Sequence, residues 1–182
     1  MTKSLMPLIA LLGLFFSCQR NSDLKSKNST NSVEVTNKSK GTLSKEDYQN
    51  ETLKHEFSAF KYFKLTEVIK EDLNGDGISE TTKFLTEGEK AGLLIKDGRT
   101  GDEVKIGMGE TLEPIGDDLS WVDFWGITYD KTTGETVVKD SEIVGGRDIS
   151  LEHPSIILRK EEEGGGLITF KNGKYIWVHQ AD

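Results

Sequence analysis

Hydrophobic and polar positions divide the chain into three stretches of different character. From Leu5 to Phe16, twelve consecutive residues are apolar or small, with only Lys3 charged ahead of them. From Gln19 to Asp47 there is no aromatic residue, and Ser, Asn, Lys and Thr dominate. From Tyr48 onward, apolar residues return in short, regularly punctuated runs. Leu53, Phe57 and Phe60 follow Ser44-Lys45-Glu46-Asp47, whose ends have the offset of a helix-starting capping box, so a short helix is predicted over 45–57. Beyond Phe60 the runs are rich in Val, Ile, Phe, Trp and Thr and are broken by Gly, Asp and Asn. This predicts strands near 61–70, 80–86, 91–96, 103–107, 121–129, 136–143, 155–161, 166–171 and 174–179. The fold class is all-β, an antiparallel meander or sandwich behind a short N-terminal helix.

The clearest unit is LITFKNGKYIWVHQ, Leu167 to Gln180. Asn172-Gly173 is a strong two-residue hairpin signal, because both turn positions need positive φ. Such a turn pairs Lys171 with Lys174, Phe170 with Tyr175 and Ile168 with Trp177, and sets Gly166 opposite His179. One face then carries Ile168, Phe170, Tyr175, Trp177 and His179; the other carries Leu167, Thr169, Ile176 and Val178. Both faces are apolar toward the open end, so this pair should be covered on two sides.

Charge and cysteine content narrow the function. The 182 residues include 23 Lys+Arg and 31 Asp+Glu, for a net charge of −8. Residues 48–182 alone hold 16 Lys/Arg against 27 Asp/Glu, so the folded part is more acidic than the whole. An acidic surface argues against a nucleic-acid partner, which needs a basic face for phosphates. The single cysteine, Cys18, excludes an internal disulfide framework and a thiolate metal cluster. Twelve apolar residues in a helix rise about 18 Å, well short of the about 30 Å hydrocarbon core, so Leu5–Phe16 reads as a secretory signal and not a span. With Cys18 at the end of that run, Leu14-Phe15-Phe16-Ser17-Cys18 resembles the bacterial lipoprotein signal. The resemblance implies cleavage before Cys18 and lipid on that residue. Residues 1–17 are then a signal peptide and 18–47 a lipidated cysteine with a disordered tether. Residues 48–182 form a β-rich domain anchored to the membrane of a bacterial cell envelope, at the outer membrane or cell surface.

The most informative segment is Asp72-Leu73-Asn74-Gly75-Asp76-Gly77-Ile78-Ser79-Glu80. Side-chain oxygens at its first, third, fifth and ninth positions, glycine at the sixth and the Ile78 carbonyl at the seventh suit a hard cation such as Ca²⁺. The twelfth position, where an EF-hand has its bidentate Glu, is Lys83, and the flanks look like strands. The spacing resembles the calcium loops of FG-GAP and related extracellular repeat proteins, which implies that Glu80 supplies the closing carboxylate. Expected ligands are Asp72, Asn74, Asp76, Ile78 and Glu80, with weak affinity, about 10⁻⁴–10⁻³ M. Signal, tether, this loop, AGLLIKDG and the closing hairpin together resemble a group of small bacterial lipoproteins of unassigned function.

Weaker constellations remain. Trp121, Asp123 and Trp125 alternate onto one face of the strand expected at 121–129 and offer a ligand face of rings and a carboxylate. The alternative is that Asp123 sits at a sheet margin accepting a backbone hydrogen bond. His179 shares its strand face with Trp177 and has room beside it opposite Gly166. The acids Asp117 and Asp118 read as a solvated turn or a second acidic cluster. His55, His153 and His179 have no metal spacing, and no P-loop or nucleophile elbow is present. Two functions follow. One is a non-catalytic envelope lipoprotein whose calcium loop steadies a β-module serving protein or glycan binding or envelope structure. The other is a small calcium-dependent hydrolase acting on envelope glycan or peptide, with Asp117, Asp118 or Asp123 beside His179.

Overall fold

Ser44 starts the folded part of the chain by capping a helix. In the computed structural model, which describes residues 43–180, the Ser44 hydroxyl accepts the Asp47 amide at 3.1 Å and donates to Asp47 Oδ2 at 2.7 Å. Helix α1 (Lys45–Glu56) follows, with Glu46 and Asp47 in its first turn, where the helix dipole favours negative charge. The signal segment, Cys18 and the stretch up to 42 lie outside the described residues. Structure already begins at Ser44, inside the segment expected as tether.

The strands are β1 (Phe60–Phe63), β2 (Ile69–Glu71), β3 (Glu80–Glu87), β4 (Lys90–Lys96), β5 (Glu103–Gly107), β6 (Phe124–Thr128), β7 (Thr132–Lys139), β8 (Glu142–Ser150), β9 (Ser155–Lys160), β10 (Gly164–Lys171) and β11 (Lys174–Gln180). All pairings are antiparallel. One sheet has the order β1-β6-β9-β10-β11, a second is the meander β2-β3-β4-β5, and β7-β8 form a separate two-stranded arm. The all-β expectation holds. Among the described residues no helix is long and apolar enough to cross a membrane.

The five-stranded sheet is buried on both faces. Trp125, Ile127, Ile156, Leu158, Ile168 and Trp177 pack with Ile69, Leu93, Ile95 and Ile106 of the meander. Their neighbours Phe124, Ile157, Leu167 and Val178 face the other way and meet Leu53 and Phe57 of α1. A strand covered on both sides has no polar face to alternate with, which is why β9 reads Ser-Ile-Ile-Leu-Arg without alternation. The C-terminal hairpin has the expected register, Lys171 with Lys174 through Gly166 with His179, and both of its faces are covered.

Three strand expectations need correction. The single strand over 61–70 is two strands in different sheets, because Lys64–Glu67 folds into a turn closed by Glu67 N–H to Lys64 O at 2.9 Å. Glu67 Oε2 accepts the Lys64 amide at 2.6 Å across the same turn. The strand over 136–143 is a hairpin folded at Asp140-Ser141, both at positive φ (51° and 66°), with β8 continuing to Ser150. The strand over 121–129 begins only at Phe124, since Val122 N–H closes a turn onto Leu119 O.

Gly166 is where packing is tightest. A Cβ there would stand 2.3 Å from the Val178 carbonyl oxygen and 2.4 Å from the Trp177 ring, so the space over Gly166 itself is filled by that indole. Gly166→Ala should therefore cost about 2–3 kcal/mol, the range of an overpacked core, and should shift the tryptophan emission spectrum. Urea denaturation followed by fluorescence checks both.

Candidate functional site

The Asp72–Glu80 loop joins β2 to β3 and is built from side-chain-to-amide bonds. Asp72 Oδ1 and Oδ2 accept from the amides of Gly75 (2.8 Å) and Gly77 (3.0 Å). Asn74 Oδ1 accepts from Asp76 N–H at 2.9 Å, and Asp76 Oδ1 from Ile78 N–H at 2.8 Å. Each short polar residue thus turns the backbone around itself, the reason Asp and Asn populate such turns. The Ile78 side chain is 39% exposed.

Glu80 stands apart from the other candidate ligands. It is 1% exposed, at the first position of β3, and its Oε2 accepts from Leu73 N–H (2.7 Å) and Asn74 N–H (3.3 Å). Oε1 accepts from Asn74 Nδ2 at 3.0 Å. The carboxylate therefore ties the loop to the strand from inside, and burial pushes its pKa upward despite these bonds.

The turn between β4 and β5 completes the site. The β3–β4 register pairs Thr81 with Lys96, which carries Asp97 alongside Glu80. Asp97 accepts from Asn74 Nδ2 (3.3 Å) and from the amides of Arg99 (2.8 Å) and Thr100 (2.6 Å). The Thr100 amide is the main cause holding the Asp97 carboxyl below its usual range. Arg99 then reaches back, with Nε to Asp76 Oδ2 and Nη2 to the Asp76 carbonyl, both 2.7 Å. That guanidinium is the leading cause of the lowered Asp76 pKa. Gly98 allows the approach, since a Cβ there would lie 2.2 Å from the Ser79 carbonyl oxygen. The His153 ring lies against Gly75.

In donor chemistry these residues suit a hard cation, with all-oxygen side chains and more carboxylates than cations. As arranged, Arg99 takes the cation's part at Asp76, and Glu80 is turned to amides. Among the described residues no group of three or more His, Cys, Asp or Glu is gathered to hold a metal.

The expected ligand face is only partly assembled. Trp121 and His179 flank a cavity of about 280 Å³ together with Trp177, whose ring meets Trp121 edge-on at 6.2 Å. Trp125 is fully buried in the sandwich, with Nε1 donating to Lys64 O at 2.7 Å and its ring edge-on to Phe84. Asp123 is exposed and accepts the Glu161 amide at 3.0 Å, the sheet-margin arrangement. The alternation that aligned these residues fails because 121–123 precede the strand. Asp117 pairs with Lys90, and Asp118 accepts from Ala91 N–H and from Ser120.

Sequence reasoning missed Asp97 and Arg99. Asp97-Gly98 is itself a turn signal, but only the β3–β4 register shows which loop it meets. Compared with protein-family models, curated proteins and solved structures, the chain matches none.

The opposed shifts at this site give a signed pH dependence. Glu80, raised above its ordinary 4.5, opposes folding when ionised, so stability should rise as pH falls from neutrality toward that value. Asp76 and Asp97, lowered from 3.8, favour folding when ionised, and that contribution disappears as pH drops through their folded values. The urea midpoint of the wild type should thus pass through an acid-side maximum. Glu80→Gln should lose the rising limb and keep the fall.

Proposed function

We propose that this domain is a non-catalytic module of the bacterial cell envelope, serving binding or envelope structure, lipid-anchored through Cys18 at the outer membrane or cell surface and stabilised by weakly bound calcium at the Asp72–Glu80 loop. The observation that carries this reading is the facing of two acidic turns, Asp72–Glu80 and Asp97–Thr100, with Arg99 as the basic side chain bonded between them. Asp72, Asn74, Asp76 and the Ile78 carbonyl are the oxygens that would hold the ion. Calcium supplies two positive charges where the guanidinium supplies one. Arg99 competes for Asp76, which keeps the affinity low. The membrane attachment rests on the lipoprotein-like signal and the polar stretch behind it, as does the resemblance to small envelope lipoproteins. A hydrolase needs two opposed carboxyls in one cleft. Asp117, Asp118 and Asp123 are each engaged by neighbouring protein donors, so that reading has less support.

The test is thermal unfolding of the mature chain in a Ca²⁺ titration, with Mg²⁺ as control. Ligand at about 100 times its Kd adds about 2.7 kcal/mol, a shift of several degrees. Asp76→Ala should abolish the shift. Arg99→Ala should lower the melting temperature without calcium and enlarge the calcium response. No response in wild type or Arg99→Ala removes calcium from the reading. Loss of metabolic palmitate labelling in Cys18→Ser checks the anchor separately.

A further inference from the structure

We infer that the outer face of the β2–β5 meander is a membrane-docking face, which meets the anionic headgroups of the phospholipid surface to which the chain is attached. The inference rests on the membrane attachment proposed above and adds how the domain lies on that membrane. The five-stranded sheet covers one face of the meander, at Ile69, Leu93, Ile95 and Ile106. The other face is open. The registers set Lys70 opposite Thr81 and Thr81 opposite Lys96, and they align Lys83 with Leu94 and Leu94 with Lys105. Side chains alternate along a strand, so all six residues stand on the face turned away from that core.

This face has the opposite sign to the domain that carries it. Residues 48–182 hold 16 Lys/Arg against 27 Asp/Glu. Lys70, Lys83, Lys90, Lys96 and Lys105 stand on the face, whereas of the acids only Glu87 and Glu103 do. Glu87 is bonded to Lys105 at 2.8 Å, and Lys90 is paired with Asp117 at the border. Lys70, Lys83 and Lys96 are exposed and form no ion pair among the described residues. With strands about 4.8 Å apart and a rise of about 3.4 Å per residue, these three flank Thr81 with Cα atoms within about 10 Å of one another. The acids of the two facing turns lie beyond the strand ends, where Asp72 and Asp97 accept backbone amides and Asp76 holds Arg99.

Three features favour a lipid surface as the occupant. The free lysines stand on an open sheet face, which is complementary to a layer of negative charge and not to a single enclosed ion. Leu85, 38% exposed, and the half-buried Leu94 lie among them. Long lysine stems beside aliphatic side chains, with the ammonium groups reaching outward, suit the boundary between headgroups and acyl chains. Finally, the attachment point is within reach. The roughly 25 residues from Cys18 to Leu43 span about 80 Å at full extension, against about 10 Å between packed layers. Each lysine close to an anionic surface contributes about fivefold in affinity, so the three free ones together contribute about a hundredfold. Such a contact is weak alone and becomes effective once the chain is tethered.

The test is cosedimentation of the mature chain with vesicles, using Cys18→Ser so that no attached lipid takes part and a chelator so that calcium takes none. Vesicles of phosphatidylglycerol and phosphatidylcholine in equal parts should bind the chain at low salt. They should release it toward about 1 M salt, where the Debye length is about 3 Å. Phosphatidylcholine alone should not bind it. Lys70→Gln, Lys83→Gln and Lys96→Gln together should weaken binding to the anionic vesicles about a hundredfold. The same charge change elsewhere, Lys131→Gln, Lys139→Gln and Lys174→Gln together, should alter it by less than about threefold, because distant charges are screened. Both triple variants should keep the wild-type melting temperature. The inference is overturned by no binding to anionic vesicles, by equal binding to both vesicle types or by equal losses in the two variants. Tighter binding to soluble polyphosphate than to vesicles overturns it too, by making a soluble polyanion the occupant. With the chain unlipidated and free of calcium, the result is independent of the palmitate and calcium tests, so the readings fail separately.

Discussion

Arg159 is 3% exposed and lies in the layer between α1 and the five-stranded sheet, where an unpaired charge would be prohibitive. Its Nε and Nη2 donate to Glu56 Oε2 at 2.7 and 2.5 Å, Nη2 also to Gln180 Oε1 at 2.6 Å, and Nη1 to the carbonyls of Leu158 and Gly166. One guanidinium thus joins the end of α1 to β9, β10 and β11, while its plane lies over the Phe57 ring. Leaving one member of a buried pair uncompensated costs about 3–5 kcal/mol, comparable to much of a domain's net stability. The helix is held less by its own propensity than by this contact and the burial of Leu53 and Phe57. The same arginine fixes Gln180, and Gln180 in turn holds the base of the β7–β8 arm through Thr133 and Gly134. A chain of side-chain hydrogen bonds therefore runs from helix through edge strand to arm.

A second carboxylate organises the opposite sheet. Glu80 is buried at the start of β3 and gathers the Leu73 and Asn74 amides, while Asp97 gathers those of Arg99 and Thr100. Two turns from different hairpins are thereby locked face to face, with the Ile78 side chain against Gly98. Arg99 neutralises only part of the resulting negative charge. The site is thus held on its outer side by an exposed ion pair at Asp76 and on its inner side by the buried carboxylate of Glu80.

The legibility of this fold followed the range of the interactions. The capped helix and the Asn172-Gly173 hairpin were readable to the residue pair, because turn chemistry and side-chain alternation are local. The double burial of β10 and β11 was readable because both faces of the hairpin are apolar. The Lys64–Glu67 turn was not, since a side chain reaching back three residues interrupts an otherwise plausible strand. Asp140-Ser141 lacked glycine and hid a turn inside Val-Val-Lys-Asp-Ser-Glu-Ile-Val. The Trp121–Trp125 face was misjudged because alternation was extended past the strand's true start. In the loop, spacing identified the oxygens but could not show that Glu80 faces inward or that Arg99 arrives from another hairpin. Both depend on the β3–β4 register.

The charge of the paired turns also reaches the C-terminal hairpin. Tyr175 lies near the start of β11, and burial pushes its hydroxyl pKa up, with the charges of Glu80 and Asp97 adding to the effect. Its ring packs on the sandwich core. Charge added or removed at Asp97 alters the field at Tyr175, and Trp177 lies two residues farther along the same strand and face. Neutralising the paired turns would relieve the repulsion that Tyr175 meets on ionising. The charge gathered at the two turns is thus felt on a strand of the other sheet, across the sandwich core and with no change of fold.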